Sequence, residues 1–67
     1  MQVLINGVTM TIPIDTNTVV QLLEHLKLNK ELAIVEVNQV ILQPEERDNT
    51  PIKEQDKIEI VQFVGGG

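Results

Sequence analysis

The chain closes on Gly65-Gly66-Gly67, directly after a Val- and Ile-rich run at residues 57–64. Glycine has no side chain and weakens regular structure, so this segment is expected to be extended and flexible. At about 3.3–3.6 Å per residue, it can project on the order of 10 Å from the body of the protein. Such a segment fits a narrow channel in a partner. It brings with it the α-carboxyl group of Gly67, whose reference pKa of about 3.3–3.7 leaves it ionised at neutral pH. A carboxylate presented in this way can attack the α-phosphate of ATP and become an acyl-adenylate. A persulfide or thiol can then displace the adenylate to leave a thiocarboxylate or an acyl thioester. The chain has no cysteine, so any sulfur it carries must sit on its terminus. The competing reading is a frayed end, a common fate of chain termini. Composition does not separate the two, but glycines that follow a strand with no polar linker favour the carrier.

The remaining residue types offer little chemistry of their own. Without cysteine there is no disulfide, no zinc–thiolate site and no iron–sulfur cluster. A lone His25 cannot hold a metal without carboxylate help, and it falls on the helix face turned away from the apolar stripe. Glu24, Glu31, Glu45, Glu46 and Asp48 read as solvated charges rather than an acid–base pair. No phosphate loop, nucleophile elbow or metal-ligand spacing occurs. The reading therefore names no catalytic residue, no metal and no cofactor bound by the chain itself; the protein is expected to be a substrate of enzymes. Ten acidic against five basic residues give a formal charge of −5, which repels phosphate backbones and suits a basic partner surface. Neither a signal-peptide pattern nor an apolar run of membrane-spanning length is present, so the cytoplasm is the expected compartment.

A glycine end needs a scaffold to hold it out. The 67 residues make one domain, and a chain of this size buries only about 60% of its unfolded surface. Its apolar 42% is almost wholly Val, Ile and Leu, with Phe63 the only aromatic residue. Residues 2–6 read as a strand with Val3 and Ile5 on one face. Asn6-Gly7 signals a type I′ hairpin turn, since both central residues need positive φ. Residues 9–14 return as a second strand, with Pro13 at its end. Thr18 and Gln21 form a capping box, and Val19, Leu22, Leu23 and Leu26 follow at helical spacing over residues 18–27. Residues 33–37 read as a strand with Val35 and Val37 inward, Asn38-Gln39 as a turn, and residues 40–42 as a short strand. Residues 44–47 read as one helical turn opened by Pro44, and residues 48–55 as a loop with Ile52 plugging the core. Asp56 is placed to brace the turn before the last strand. Pairing the first and last strands in parallel, with the helix across one face, gives an α+β fold of the β-grasp (ubiquitin-like) type. Its sheet is mixed and four- to five-stranded, with one main helix and a short helical turn. Residues 1–64 form the domain and 65–67 its flexible tail.

Side chains alternate along a strand. If Glu59 faces solvent, Val61 and Phe63 do too. Leu4 and Ile34 fall on the same outer face, so Leu4, Ile34, Val61 and Phe63 form an apolar patch beside the tail, of the kind that marks a partner site. The alternative is a twisted sheet that hides some of them, or scattered exposed apolar residues, which need no explanation.

In their order and spacing, these residues resemble the ThiS family of sulfur carriers in thiamine biosynthesis, a branch of the ThiS/MoaD-like, ubiquitin-like proteins. The resemblance covers nearly the whole chain. It rests on Met1-Gln2-Val3-Leu4-Ile5-Asn6-Gly7, Thr18-Val19 leading into Leu22-Leu23, Val37-Asn38 with Ile41, and Ile52 followed by Asp56-Lys57-Ile58-Glu59-Ile60-Val61 and the terminal glycines. The chain departs from the family at Gln55, where a glycine usually precedes the aspartate; this bears on the local turn and not on the terminal chemistry. The resemblance implies that an E1-like, ThiF-type enzyme uses ATP and magnesium to adenylate Gly67. A cysteine desulfurase or another donor then supplies sulfur, and a ThiG-type thiazole synthase takes it up. Gly66 and Gly67 match the family's terminal pair, and Val61 and Phe63 lie in the strand that such carriers dock against their activating enzymes. Three alternatives stay open: a sulfur carrier of the type of the molybdopterin synthase small subunit, a ubiquitin-like protein modifier, and a binding module with an inert tail.

Overall fold

The computed structural model describes residues 1–62; Phe63, Val64 and the glycines at 65–67 lie outside the described residues. The strands are β1 (Gln2–Ile5), β2 (Val8–Thr11), β3 (Ala33–Val37), β4 (Val40–Ile41) and β5 (Lys57–Gln62). Helix α1 (Val19–His25) lies between β2 and β3, and a 3₁₀ turn (Pro44–Glu46) follows β4. The strands form one five-stranded sheet in the order β2-β1-β5-β3-β4. β1 and β5 run parallel, with Leu4 opposite Lys57 and Ile5 opposite Ile58, and the other pairings are antiparallel. This is the expected β-grasp arrangement, with the last strand at the centre.

Local sequence sets the corners. Asn6 and Gly7 have φ of 50° and 82°, the positive pair that a two-residue I′ turn demands. Asn38 and Gln39 repeat the device at φ 48° and 74°. The β2 strand is shorter than the 9–14 reading. Ile12 still bonds Met1 in the same register, its amide donating to the Met1 carbonyl at 2.8 Å and its carbonyl accepting from the Met1 amino group at 3.1 Å, and the pairing stops at Pro13, which has no N–H to continue it.

Thr18 caps α1 as its sequence implies. Its Oγ1 accepts from the Gln21 amide at 3.4 Å, while Gln21 Oε1 accepts from the Thr18 amide at 3.3 Å. The helix spans seven residues, too few to persist on propensity alone. Val19, Leu22 and Leu23 are fully buried, each contributing about 1.5–3 kcal/mol relative to exposure, so packing against the sheet holds it. The helix ends in a Schellman motif: the Leu28 amide donates to Leu23 O at 2.9 Å and the Lys27 amide to Glu24 O at 3.0 Å. The left-handed position of that motif is Lys27, at φ 59°.

Val3, Ile5, Val35, Ile58 and Ile60 line the inner face of the sheet and meet Ile12, Val19, Leu22, Leu23, Ala33, Leu42 and Ile52 in one core. Ile52 is the plug its sequence context suggests, at 7% exposure. Asp56 is buried and braces two turns. One carboxylate oxygen accepts from Asn38 Nδ2 at 3.1 Å and the other from the Lys53 amide at 2.8 Å. Gln55, where a glycine would be at ease, adopts φ 67°.

Candidate functional site

The helix covers one face of the sheet, so the opposite face is open. Ile34 and Val61 are directly opposed across β3 and β5 and are 41% and 58% exposed. This pair of the predicted patch is brought together. Leu4 shares the face but not the neighbourhood. It stands opposite Lys57, four residues before Val61 in β5, which is about 13 Å along a strand. Leu4 instead lines a shallow depression with Gln2, Val3, Thr9 and Gln55. Phe63, the fourth member, lies outside the described residues, as do Gly65, Gly66 and Gly67.

The reading missed Ile41. It is 62% exposed and sits opposite Glu36 on the open face. From there it is diagonal to Ile34, a spacing of about 7–8 Å at which long side chains still meet. The available signal was alternation: with Leu42 in the core, its neighbour had to point away. Glu36 and Glu59 are also paired across β3 and β5, so the apolar cluster of Ile34, Ile41 and Val61 borders two facing carboxylates.

The end of β5 is held from both sides. On the β3 side, Ala33 pairs with Gln62, and the Asn29 amide donates to Gln62 Oε1 at 3.2 Å. Arg47 fixes that flank from below. Its guanidinium is buried and donates to the carbonyls of Lys30 and Ala33, while its own carbonyl accepts from the Val20 amide at 3.2 Å. On the β1 side, the Asn6 side chain bonds both backbone groups of Ile60, receiving its N–H at 2.7 Å and donating to its carbonyl at 3.0 Å. Neither Arg47 nor Asn6 was singled out from sequence for these roles.

His25, Glu24, Glu31, Glu45, Glu46 and Asp48 are all exposed. Glu46 has a local duty: its Oε1 accepts from the Gln43 amide at 2.6 Å, capping the 3₁₀ turn. Among the described residues, no group of three or more His, Cys, Asp or Glu side chains could hold a metal. No helix there is long and apolar enough to cross a membrane. The arrangement is a five-stranded sheet whose open face carries an apolar cluster that includes Val61 of the last strand.

Comparison with known proteins gives this arrangement its relatives. A sulfur carrier protein ThiS from Bacillus subtilis is 42% identical over 53 residues, 79% of this chain and 80% of that protein. The crystal structure of the thiamine biosynthesis protein (ThiS) from Geobacter metallireducens superposes with a TM-score of 0.83 at 35% identity, covering 100% of both chains. The solution structure of a thiamine biosynthesis protein from the same organism gives the same score and identity over 88% of its length. The profile of the ThiS family matches residues 3–67, which takes in the β-grasp body and the glycine end together, and the chain belongs to that family.

Proposed function

We propose that this protein is a sulfur carrier of thiamine biosynthesis, with the carboxylate of Gly67 as the group that carries the sulfur. The observation that supports the reading most is the continuous family match from the first strand through Gly67. It joins a sheet with an open apolar face to the kind of terminus that the chemistry requires. The match also favours the thiamine pathway over the molybdopterin one.

In this reading an E1-like, ThiF-type enzyme docks the Ile34, Ile41 and Val61 face and draws Gly65, Gly66 and Gly67 into its active site. Phe63 and, at the far end of the face, Leu4 extend the contact. The carboxylate oxygen of Gly67 attacks the α-phosphorus of magnesium-bound ATP. The bond to pyrophosphate breaks, and pyrophosphate leaves with the bonding electron pair. The terminal sulfur of a donor persulfide, formed by a cysteine desulfurase or an equivalent source, then attacks the acyl carbon and expels AMP. A second thiolate cleaves the resulting acyl disulfide at its S–S bond. The products are the thiocarboxylate and a disulfide between the donor and that thiol. A ThiG-type thiazole synthase takes the sulfur onward. The chain acts throughout as a protein cosubstrate, with ATP and magnesium belonging to the activating enzyme.

Intact mass spectrometry tests this directly. The protein is incubated with ATP, magnesium, an E1-like enzyme and a persulfide donor. The expected product gains the mass difference of one oxygen replaced by one sulfur. Deleting Gly67 should abolish the gain while the circular dichroism spectrum and the unfolding transition stay those of the parent. An unaltered mass for the parent protein, or sulfur loading of the deletion variant, would overturn the proposal.

A further inference from the structure

The β1–β5 ladder runs out before β5 does. Its rungs go from the Leu4 amide to the Asp56 carbonyl at 2.9 Å and from the Asn6 amide to the Ile58 carbonyl at 2.9 Å. The next rung would meet Ile60, but the chain has turned away at Asn6-Gly7. A single side chain replaces the missing strand. The Asn6 amide group presents one acceptor and one donor in the spacing of a peptide bond, and both are engaged by Ile60, at 2.7 Å and 3.0 Å. An asparagine can do this from a position of positive φ, which few other residues adopt without strain.

We infer that Asn6 is a positioning residue for the carrier's reactive end, acting through β5. This rests on the sulfur-carrier reading. Ile60 lies seven residues before Gly67, so the direction in which β5 leaves the sheet sets where the carboxylate starts its approach to an activating enzyme. With the Asn6 clamp, β5 is paired on both sides as far as Ile60. Without it, the last two-sided pairing falls back to Ile58, and the end of the strand is held on the β3 side alone. Two more residues between the last two-sided pairing and Gly67 would by length alone dilute the carboxylate by less than about twofold. A larger loss therefore reports lost direction rather than added length. The cluster that docks in that reading, Ile34, Ile41 and Val61, does not include Asn6, so the loss belongs in turnover and not in docking.

The experiment uses Asn6→Gly, which keeps the turn's positive φ and removes only the clamp. Asn6→Asp serves as a second variant that keeps the acceptor and loses the donor. Hydrogen exchange at the Ile60 amide and steady-state pyrophosphate release by a ThiF-type enzyme are measured on the full chain. The expected result is faster exchange at Ile60, kcat lowered threefold or more, and KM for the carrier within twofold of the parent. Unchanged protection of Ile60 would show that no clamp forms. A kcat within twofold of the parent despite lost protection, or a rise in KM alone, would equally overturn the inference. If Asn6→Gly fails to fold, Asn6→Ala, which also removes both the acceptor and the donor, decides it by the same readings. A parent protein that releases no pyrophosphate would sink the sulfur-carrier reading instead, and exchange at Ile60 would still report on the clamp.

Discussion

Glu36 and Glu59 face each other across β3 and β5 on the open side of the sheet. Like charges directly opposed on neighbouring strands are destabilising, in a range of about 0.2–1 kcal/mol. Replacing one with its opposite, as in Glu36→Lys, should raise stability by up to about 1 kcal/mol. Urea denaturation at low and high salt checks this. Both side chains are half-buried, and the gain should shrink in part as salt is added, because their solvent-facing charge is screened. A gain that ignores salt would point to strand propensity and not to charge.

Lys27 and Gln55 occupy left-handed backbone at φ 59° and 67°. Such a conformation costs a residue with a Cβ roughly 1–2 kcal/mol, partly offset by the greater chain entropy of glycine when unfolded. Lys27→Gly and Gln55→Gly should each stabilise by up to about 1 kcal/mol, which in a domain of this size raises Tm by about 4–8 °C. Lys27→Val should do the reverse. Thermal unfolding of the three variants separates backbone strain from any contact of the side chains.

Arg47 ties the segment after α1 to the start of β3 through the carbonyls of Lys30 and Ala33. Its Nε has no hydrogen-bond partner among the described residues, yet removing the side chain would orphan two acceptors. Arg47→Met should cost about 2–6 kcal/mol, at about 1–3 kcal/mol for each of the two acceptors left unsatisfied. Chemical denaturation gives the number. Hydrogen exchange should show the loss first at Gln62, whose neighbour Ala33 is no longer fixed.

Val61→Glu tests the docking face. Val61 is mostly exposed, so stability should move by no more than about 0.5 kcal/mol. If a partner buries this side chain, the lost transfer energy of about 1.5–3 kcal/mol weakens binding to a ThiF-type enzyme tenfold or more. Leu4→Ser, remote from the Ile34–Val61 pair, should weaken it less. Titration by calorimetry or surface plasmon resonance ranks the two, and the reverse order would move the interface toward the β1–β2 edge.

Much of this architecture was legible because its signals are local. Asn6-Gly7, Thr18 with Gln21, Asn38-Gln39 and Pro44 each fix a corner within a few residues. Alternation in residues 2–5 and 57–62 assigns the inner and outer faces. What could not be read depends on register and distance. The separation of Leu4 from Val61 follows from which residue of β5 meets β1. The Asn6 amide finds Ile60 at a sequence separation of 54, and nothing near Asn6 announces more than a turn. Arg47 sits in an acidic loop where a solvated charge is the ordinary reading, and its partners lie 17 and 14 residues away. The glycine end was legible only as chemistry, because three residues without side chains carry no packing signal.

The strand that feeds the glycine end is also the middle of the sheet, between β1 and β3. A polypeptide cut short before β5 would be left with two hairpins and nothing to join them, and Ile58 and Ile60 would be missing from the core. Such a fragment could not bring Ile34 and Val61 together on the open face. Synthesis must pass through β5 before the sheet can close, so folding waits for the last strand to be made.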